Sequence, residues 1–165
     1  MKAITILQPW ASLIASGAKQ IETRSWATKY RGQIAIHAAK SCKAYHMNFA
    51  FQEPFYSALK DQTGCMLDQG AEGSGKRILY PLPGSVIAIA DLVDCLRVIG
   101  KVSLKIGNEK RVAAFLENDM KITDNELAFG DYTIGRYAWL LKNIKAIDPI
   151  PARGQQGLWN WAGEI

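Results

Sequence analysis

The sequence predicts an α+β chain that is mainly β: a mixed, largely antiparallel β-barrel with helices on its rim. Short β-compatible runs recur at unequal spacing from Ala3 to Ile147. Helical periodicity, by contrast, is confined to brief stretches. At 165 residues, with 48% apolar and 21% charged residues, the chain is expected to form a single domain over residues 1–165 with a full core.

Ala3 to Leu7 is short and β-compatible. Gln8-Pro9-Trp10 opens something else, because proline is tolerated at the first helical position and poorly inside a strand. Trp10, Leu13 and Ile14 recur at i, i+3, i+4 and mark one helical face. Gly17 is the natural stop, since the left-handed residue that ends many helices costs glycine nothing sterically. From Lys19 the period changes to two, with Ile21, Thr23 and Ser25 on one side of a strand and Gln20, Glu22, Arg24 and Trp26 on the other.

Tyr30-Arg31-Gly32 reads as a turn, and Gln33 to Ala38 as a strand in which Ile34 and Ile36 alternate with Ala35 and His37. Tyr45 to Lys60 supplies helix, interrupted or restarted at Pro54. Asp68 to Lys76 is glycine-rich and is expected to be a mobile surface loop. Val86 to Val98 is the strongest buried strand, reached through a turn at Pro81 to Gly84 and long enough to bulge near Asp91 or Asp94. Asn108 to Asn118 has helical character, Asp131 to Arg136 reads as a loop, and Tyr137 to Ile147 is a second apolar run of strand length.

Composition narrows the chemistry. The excess of 20 Lys and Arg over 15 Asp and Glu, a net +5, suits a polyanionic partner. Cys42, Cys65 and Cys95 are odd in number and far apart, which indicates neither a disulfide framework nor a zinc ribbon. His37 and His46 lack the i, i+4 spacing of a helical metal site, and no metal or other cofactor is expected. No apolar run is long enough for a signal peptide or a membrane span, so the expectation is a cytoplasmic protein without a membrane partner.

Familiar catalytic signatures fail on inspection. Gly70 to Lys76 matches G-x-x-x-x-G-K, but Arg77 stands where magnesium would require Ser or Thr, and the flanking strand and helix are missing. No G-x-S-x-G elbow occurs. Asp91 and Asp94 lie inside an apolar strand and mark an edge or bend rather than a glycosidase pair.

Charge, aromatic surface and turn chemistry converge between Gly17 and Arg24. Lys19 and Arg24 would attract phosphate or a polar base, Glu22 would orient them or accept an amine proton, and Trp10 or Trp26 would offer a stacking face. The same residues admit a structural reading, in which Glu22 and Arg24 form a surface ion pair worth about 0–1 kcal/mol and the tryptophans are core. Arg31 and Arg136 could hold phosphates, whereas Trp159 and Trp161 would plug the barrel.

The stretch from Leu7 to Trp26 closely resembles the start of the ASCH (activating signal cointegrator homology) family, whose G-x-K-x-x-E-x-R mark is met by Gly17, Lys19, Glu22 and Arg24. Arg31 to Ala38, Leu82 to Ile87 and Gly154 to Trp159 look like further landmarks, so the resemblance spans nearly the whole chain. It implies a PUA-like barrel with the motif lining a cleft beside the N-terminal helix. It also implies RNA or single-stranded DNA as partner, contacted by Trp10, Gly17, Lys19, Glu22, Arg24, Ser25, Trp26 and Arg31.

Some relatives instead hydrolyse acetylated cytidine, and one branch has ribonuclease activity. For that alternative the resemblance implies a nucleoside-sized ligand or a metal-independent cleavage in the same cleft. Lys19 would then activate water, and Glu22 would be the second catalytic candidate. The hydrolase branch carries threonine where this chain has Glu22. That departure favours binding over deacetylation, because a carboxylate beside an ammonium favours the charged amine, the poorer base.

Overall fold

The computed structural model describes residues 1–41, 44–60, 66–68, 77–79, 83–106 and 109–163. Strand β1 (Lys2–Ile6) leads into α1 (Trp10–Ala15), β2 (Ile21–Arg24) and β3 (Gly32–Ala38). Two short helices, α2 (Ala44–Phe49) and α3 (Phe55–Leu59), precede β4 (Met66–Asp68) and β5 (Arg77–Leu79). The long β6 (Ser85–Ile106) is followed by β7 (Glu109–Leu116), β8 (Lys121–Ile122), α4 (Asp124–Ala128), β9 (Tyr137–Pro151) and β10 (Leu158–Asn160).

Pairing follows the order β10-β1-β3-β6-β7-β8, with β9 joining β6 to β2 and β4 pairing β5 separately. The sheet is mixed: β1 runs parallel to β3 and antiparallel to β10. Hydrogen bonds among the described residues leave this order open rather than closing it into a ring. Among the described residues, no helix is long and apolar enough to cross a membrane.

The chain forms two compact units. The first comprises Met1–Ala18, Gln33–Ala90 and Asn143–Ile165. Its core gathers Ala3, Ala35, Val86, Ile89, Trp159 and Trp161, with Ile147 and Ile150 packed against them. The alternation expected of Gln33 to Ala38 disappears, because Ile34 through Ala38 are all buried. A strand paired in parallel is commonly covered on both faces, and its small residues then pack as closely as its large ones.

Helix α1 starts at Pro9 and runs out at Ser16, with Gly17 at φ +79 as the expected left-handed stop. Pro9 has no side chain to cap the helix. The buried Gln8 does so instead, its Oε1 accepting the Ser12 N–H at 3.1 Å. In this unit Pro54 precedes α3, so the proline restarts a helix as its fixed φ predicts.

The second unit comprises Lys19–Gly32 and Asp91–Lys142. Ile21, Leu96, Val98, Ala114, Leu116, Ile122, Tyr132 and Ala138 form its core. The helical character expected of Asn108 to Asn118 is not what forms: Glu109–Leu116 is a strand, registered against β6 from Ile106↔Glu109 to Val98↔Leu116. Alanine, glutamate and leucine favour helix, but a long neighbouring strand offers a ladder and a buried place for Ala113 and Ala114. In the β6–β7 pairing the register shifts between Val98 and Gly100. Ile99 is left over there, 51% exposed.

The loop expected over Asp68 to Lys76 lies outside the described residues apart from Asp68, which ends β4. The Gly70 to Lys76 match, Cys42 and Cys65 also lie outside them.

Replacing Gln8 with alanine strands the Ser12 N–H inside the first unit. Chemical denaturation of Gln8→Ala is expected to show a loss of about 1–3 kcal/mol, the cost of a buried donor without a partner.

Candidate functional site

Strand β2 places alternate residues on opposite faces, Ile21 and Thr23 buried, Glu22 and Arg24 half-buried. Its antiparallel partner β9 sets Ile21 opposite Leu140 and Arg24 opposite Tyr137. Lys19 precedes the strand and is 0% exposed. Its Nζ hydrogen-bonds the Ile21 carbonyl. It also lies 3.7 Å from Glu22 Oε2 and 3.8 Å from Glu126 Oε1. A lysine ammonium has three donors and accepts nothing; here one carbonyl accepts from it and two carboxylates stand within ion-pair distance.

Each carboxylate also binds beyond the lysine. Glu22 turns its other oxygen to Arg24, with Oε1 at 3.2 Å from Nε. Glu126 Oε2 accepts the Gln20 N–H at 2.9 Å, and Oε1 accepts the Ile21 N–H at 3.1 Å and the Tyr132 hydroxyl at 3.4 Å. Burial, reinforced by the charges of Glu126 and Glu22, pushes the Tyr132 phenol well above its ordinary value and keeps it a neutral donor.

The Asp131 to Arg136 segment is tied to the same strand. The Asp131 N–H donates to Thr23 Oγ1 at 3.1 Å, and an Arg136 Nη2 donates to the Thr23 carbonyl at 3.4 Å. Asp131 accepts the Thr133 hydroxyl at 2.6 Å and the Thr133 N–H at 3.1 Å, and its other oxygen meets Arg136 at 3.2 Å. The Thr133 hydroxyl above all, with the Thr133 N–H and Arg136, holds the Asp131 carboxyl below 3.8 against the opposing effect of desolvation. Arg136, expected as a phosphate ligand, thus fastens a loop.

The structure brings Lys19, Glu22 and Arg24 together as one contact network. Ser25 is exposed, and Trp26 is half-buried against the edge or face of Trp139, ring centroids 4.7 Å apart and nearly perpendicular. Arg31 reaches the Thr28 and Tyr30 carbonyls at 2.9 Å and pairs with Asp94 at 2.8 Å. Gly17 ends α1. Trp10 belongs to the first unit, where it packs on His46, Phe49 and Phe55. Lys19, expected to attract phosphate or a polar base, is buried with its ammonium against the Ile21 carbonyl, Glu22 and Glu126. Among the described residues, no group of three or more His, Cys, Asp and Glu side chains could hold a metal.

Glu126 was the partner that spacing did not reveal. Thr123-Asp-Asn-Glu126 has the form of a capping box, a local pattern that points the glutamate at its own helix. Thr123 makes no side-chain capping bond, and Glu126 binds the residues leading into β2 instead.

The family profile of the ASCH domain matches residues 4–150. Over 96 residues, 56% of this chain, the sequence is 31% identical to activating signal cointegrator 1 of Homo sapiens and 30% identical to that of Mus musculus. The match covers 14% of the length of each of those proteins.

Replacing Lys19 with methionine removes the buried cation between Glu22 and Glu126, leaving Glu126 without its cation and Glu22 with Arg24 alone. Lys19→Met is expected to lose about 3–5 kcal/mol in chemical denaturation, the range for breaking a buried pair by removing one partner. A carboxyl held low in the folded state contributes stability above its unfolded value and loses it as pH falls. Asp131→Asn should therefore be less stable than the parent at neutral pH, with the gap closing as pH drops below 3.8. Thermal melts over an acid series check the trend.

Proposed function

The chain belongs to the ASCH domain family, and on that premise we propose that it binds RNA or single-stranded nucleic acid through Arg24 and the segment that follows β2. The observation that supports this most is the division of charge inside the motif. Lys19 is enclosed, while Arg24, on the other side of Glu22, keeps 25% of its side chain at the surface. Glu22 holds that guanidinium from behind, so ordering it on a phosphate costs less side-chain entropy than ordering a free arginine.

The neighbouring sequence supplies the rest of a single-strand surface. Arg24, Trp26, Lys29, Tyr30 and Arg31 interleave cations with aromatic rings. Ser25, Lys29 and Arg31 are exposed, and Trp26 and Tyr30 are half-buried. Cations track the phosphate backbone and aromatic faces take unpaired bases, a combination that tolerates many sequences. Arg31 contributes as one half of an exposed ion pair with Asp94, which a phosphate can compete for.

The amidohydrolase alternative asks Lys19 to take a proton from water. An amine needs a free lone pair for that, and this one is surrounded by a carbonyl and two carboxylates. The geometry therefore supports binding, with Lys19 and Glu22 as positioning residues.

Titrating labelled single-stranded RNA at several salt concentrations tests the proposal. Arg24→Ala is expected to weaken affinity about tenfold and to reduce the log–log salt slope by about 0.7, as for one lost phosphate contact. Trp26→Ala should cost about 1–3 kcal/mol with the slope unchanged. Parental affinity and slope in both variants would reject the surface.

A further inference from the structure

A cavity of about 1040 Å³ opens in the first unit and has no part in the site described above. Its frame is backbone. Thr5 of β1 and His37 of β3 are register partners. The Ala39 N–H donates to the Ile6 carbonyl, the Gly84 N–H to Ala38, and the Ala152 N–H to Gly84, all at 2.9 Å. These bonds fix the chain on either side of Lys40 and Arg153, and both side chains line the cavity.

Charge selects the ligand. Among the described residues the lining includes Lys40 and Arg153 and no Asp or Glu. Both cations are exposed, and neither meets a carboxylate among the described residues. Two cations that meet no carboxylate among the described residues, set beside a concavity, attract an anion, and a phosphoryl group offers both strong charge-assisted bonds.

His37 adds a second requirement. It is 1% exposed and lines the same cavity. Its Nε2 lies 3.0 Å from the Ala152 carbonyl. A carbonyl only accepts, so Nε2 carries the proton, and in the neutral ring Nδ1 is an acceptor. Nδ1 has no hydrogen-bond partner among the described residues. The ring is held by perpendicular packing on Trp159 at 5.7 Å, and by the Gly154 backbone, where an added Cβ would lie 2.4 Å from Cε1. A fixed buried acceptor is satisfied by a ligand that offers an N–H or O–H, which an unprotonated phosphoryl group does not have.

We propose that this cavity binds a nucleoside monophosphate, its phosphate held by Lys40 and Arg153 and a hydroxyl or N–H of its nucleoside donating to His37 Nδ1. The volume fits, since a lone anion needs far less space and small-molecule sites run to about 1,000 Å³. The inference rests on the first unit alone and does not depend on nucleic acid binding beside β2.

Trp159 reports on the site, because its Nε1 donates to Thr5 Oγ1 at 3.2 Å next to His37. In nitrogen-edited NMR of the whole chain, adenosine monophosphate is expected to shift the Trp159 indole resonance saturably. The Trp26 and Trp139 indoles, in the other unit, should stay in place. Inorganic phosphate alone and adenosine alone should each bind at least about tenfold more weakly than the nucleotide. Lys40→Ala combined with Arg153→Ala, two exposed positions, should weaken it by a similar factor. A stationary Trp159, shifts confined to Trp26 and Trp139, phosphate binding as tightly as the nucleotide, or parental affinity in the double variant would each overturn the proposal.

Discussion

The enclosed ammonium of Lys19 constrains everything built around β2. A lysine head group is among the most strongly hydrated charges in a protein, and removing it from water is tolerated only when opposite charge and hydrogen-bond acceptors replace the solvent shell. Here the Ile21 carbonyl, Glu22 and Glu126 do so. Glu126 comes from α4, far along the chain, and the same carboxylate takes the Gln20 and Ile21 N–H groups and the Tyr132 hydroxyl. One acidic side chain therefore secures the start of β2, a buried cation and a buried phenol. The desolvation of the lysine is what makes that arrangement specific: any displacement of α4 would leave a charge without a partner.

This constraint passes outward to the surface. Because Glu22 is fixed by Lys19 on one oxygen, its other oxygen is a stationary anchor for Arg24. Thr23, between them on the opposite face, holds the Asp131 to Arg136 loop. The motif thus works as a scaffold that ends in a guanidinium held by Glu22, and Trp26, Lys29, Tyr30 and Arg31 follow it along the chain. The first unit solves a different problem with a different device, a parallel strand pair whose backbone ties bring Lys40, Arg153 and a fixed imidazole to one cavity.

Much of the local structure could be read from the residues. The i, i+3, i+4 face of Trp10, Leu13 and Ile14, the stop at Gly17 and the period of two from Ile21 to Arg24 are short-range signals, and the elements form where these place them. Glu109 to Leu116 was illegible because its composition suits either state and the decision belongs to β6, its partner. The position of the bulge depends on register between strands, which no single strand encodes. Within the site, the Glu22 and Arg24 pairing followed from strand spacing. The burial of Lys19 did not, because it depends on Glu126, and the sequence around Glu126 advertises a helix cap rather than a distant lysine. The His37 environment was hidden for a similar reason, since its acceptor Ala152 lies far along the chain.

The most direct test observes the lysine ammonium itself by nitrogen-15 NMR of side-chain NH₃⁺ groups. If Lys19 is enclosed as described, its Nζ protons will exchange with water far more slowly than those of the exposed Lys29 and Lys121, and its resonance will move on Glu126→Gln. A Lys19 signal exchanging as fast as the surface lysines, and unmoved by that substitution, would contradict the account.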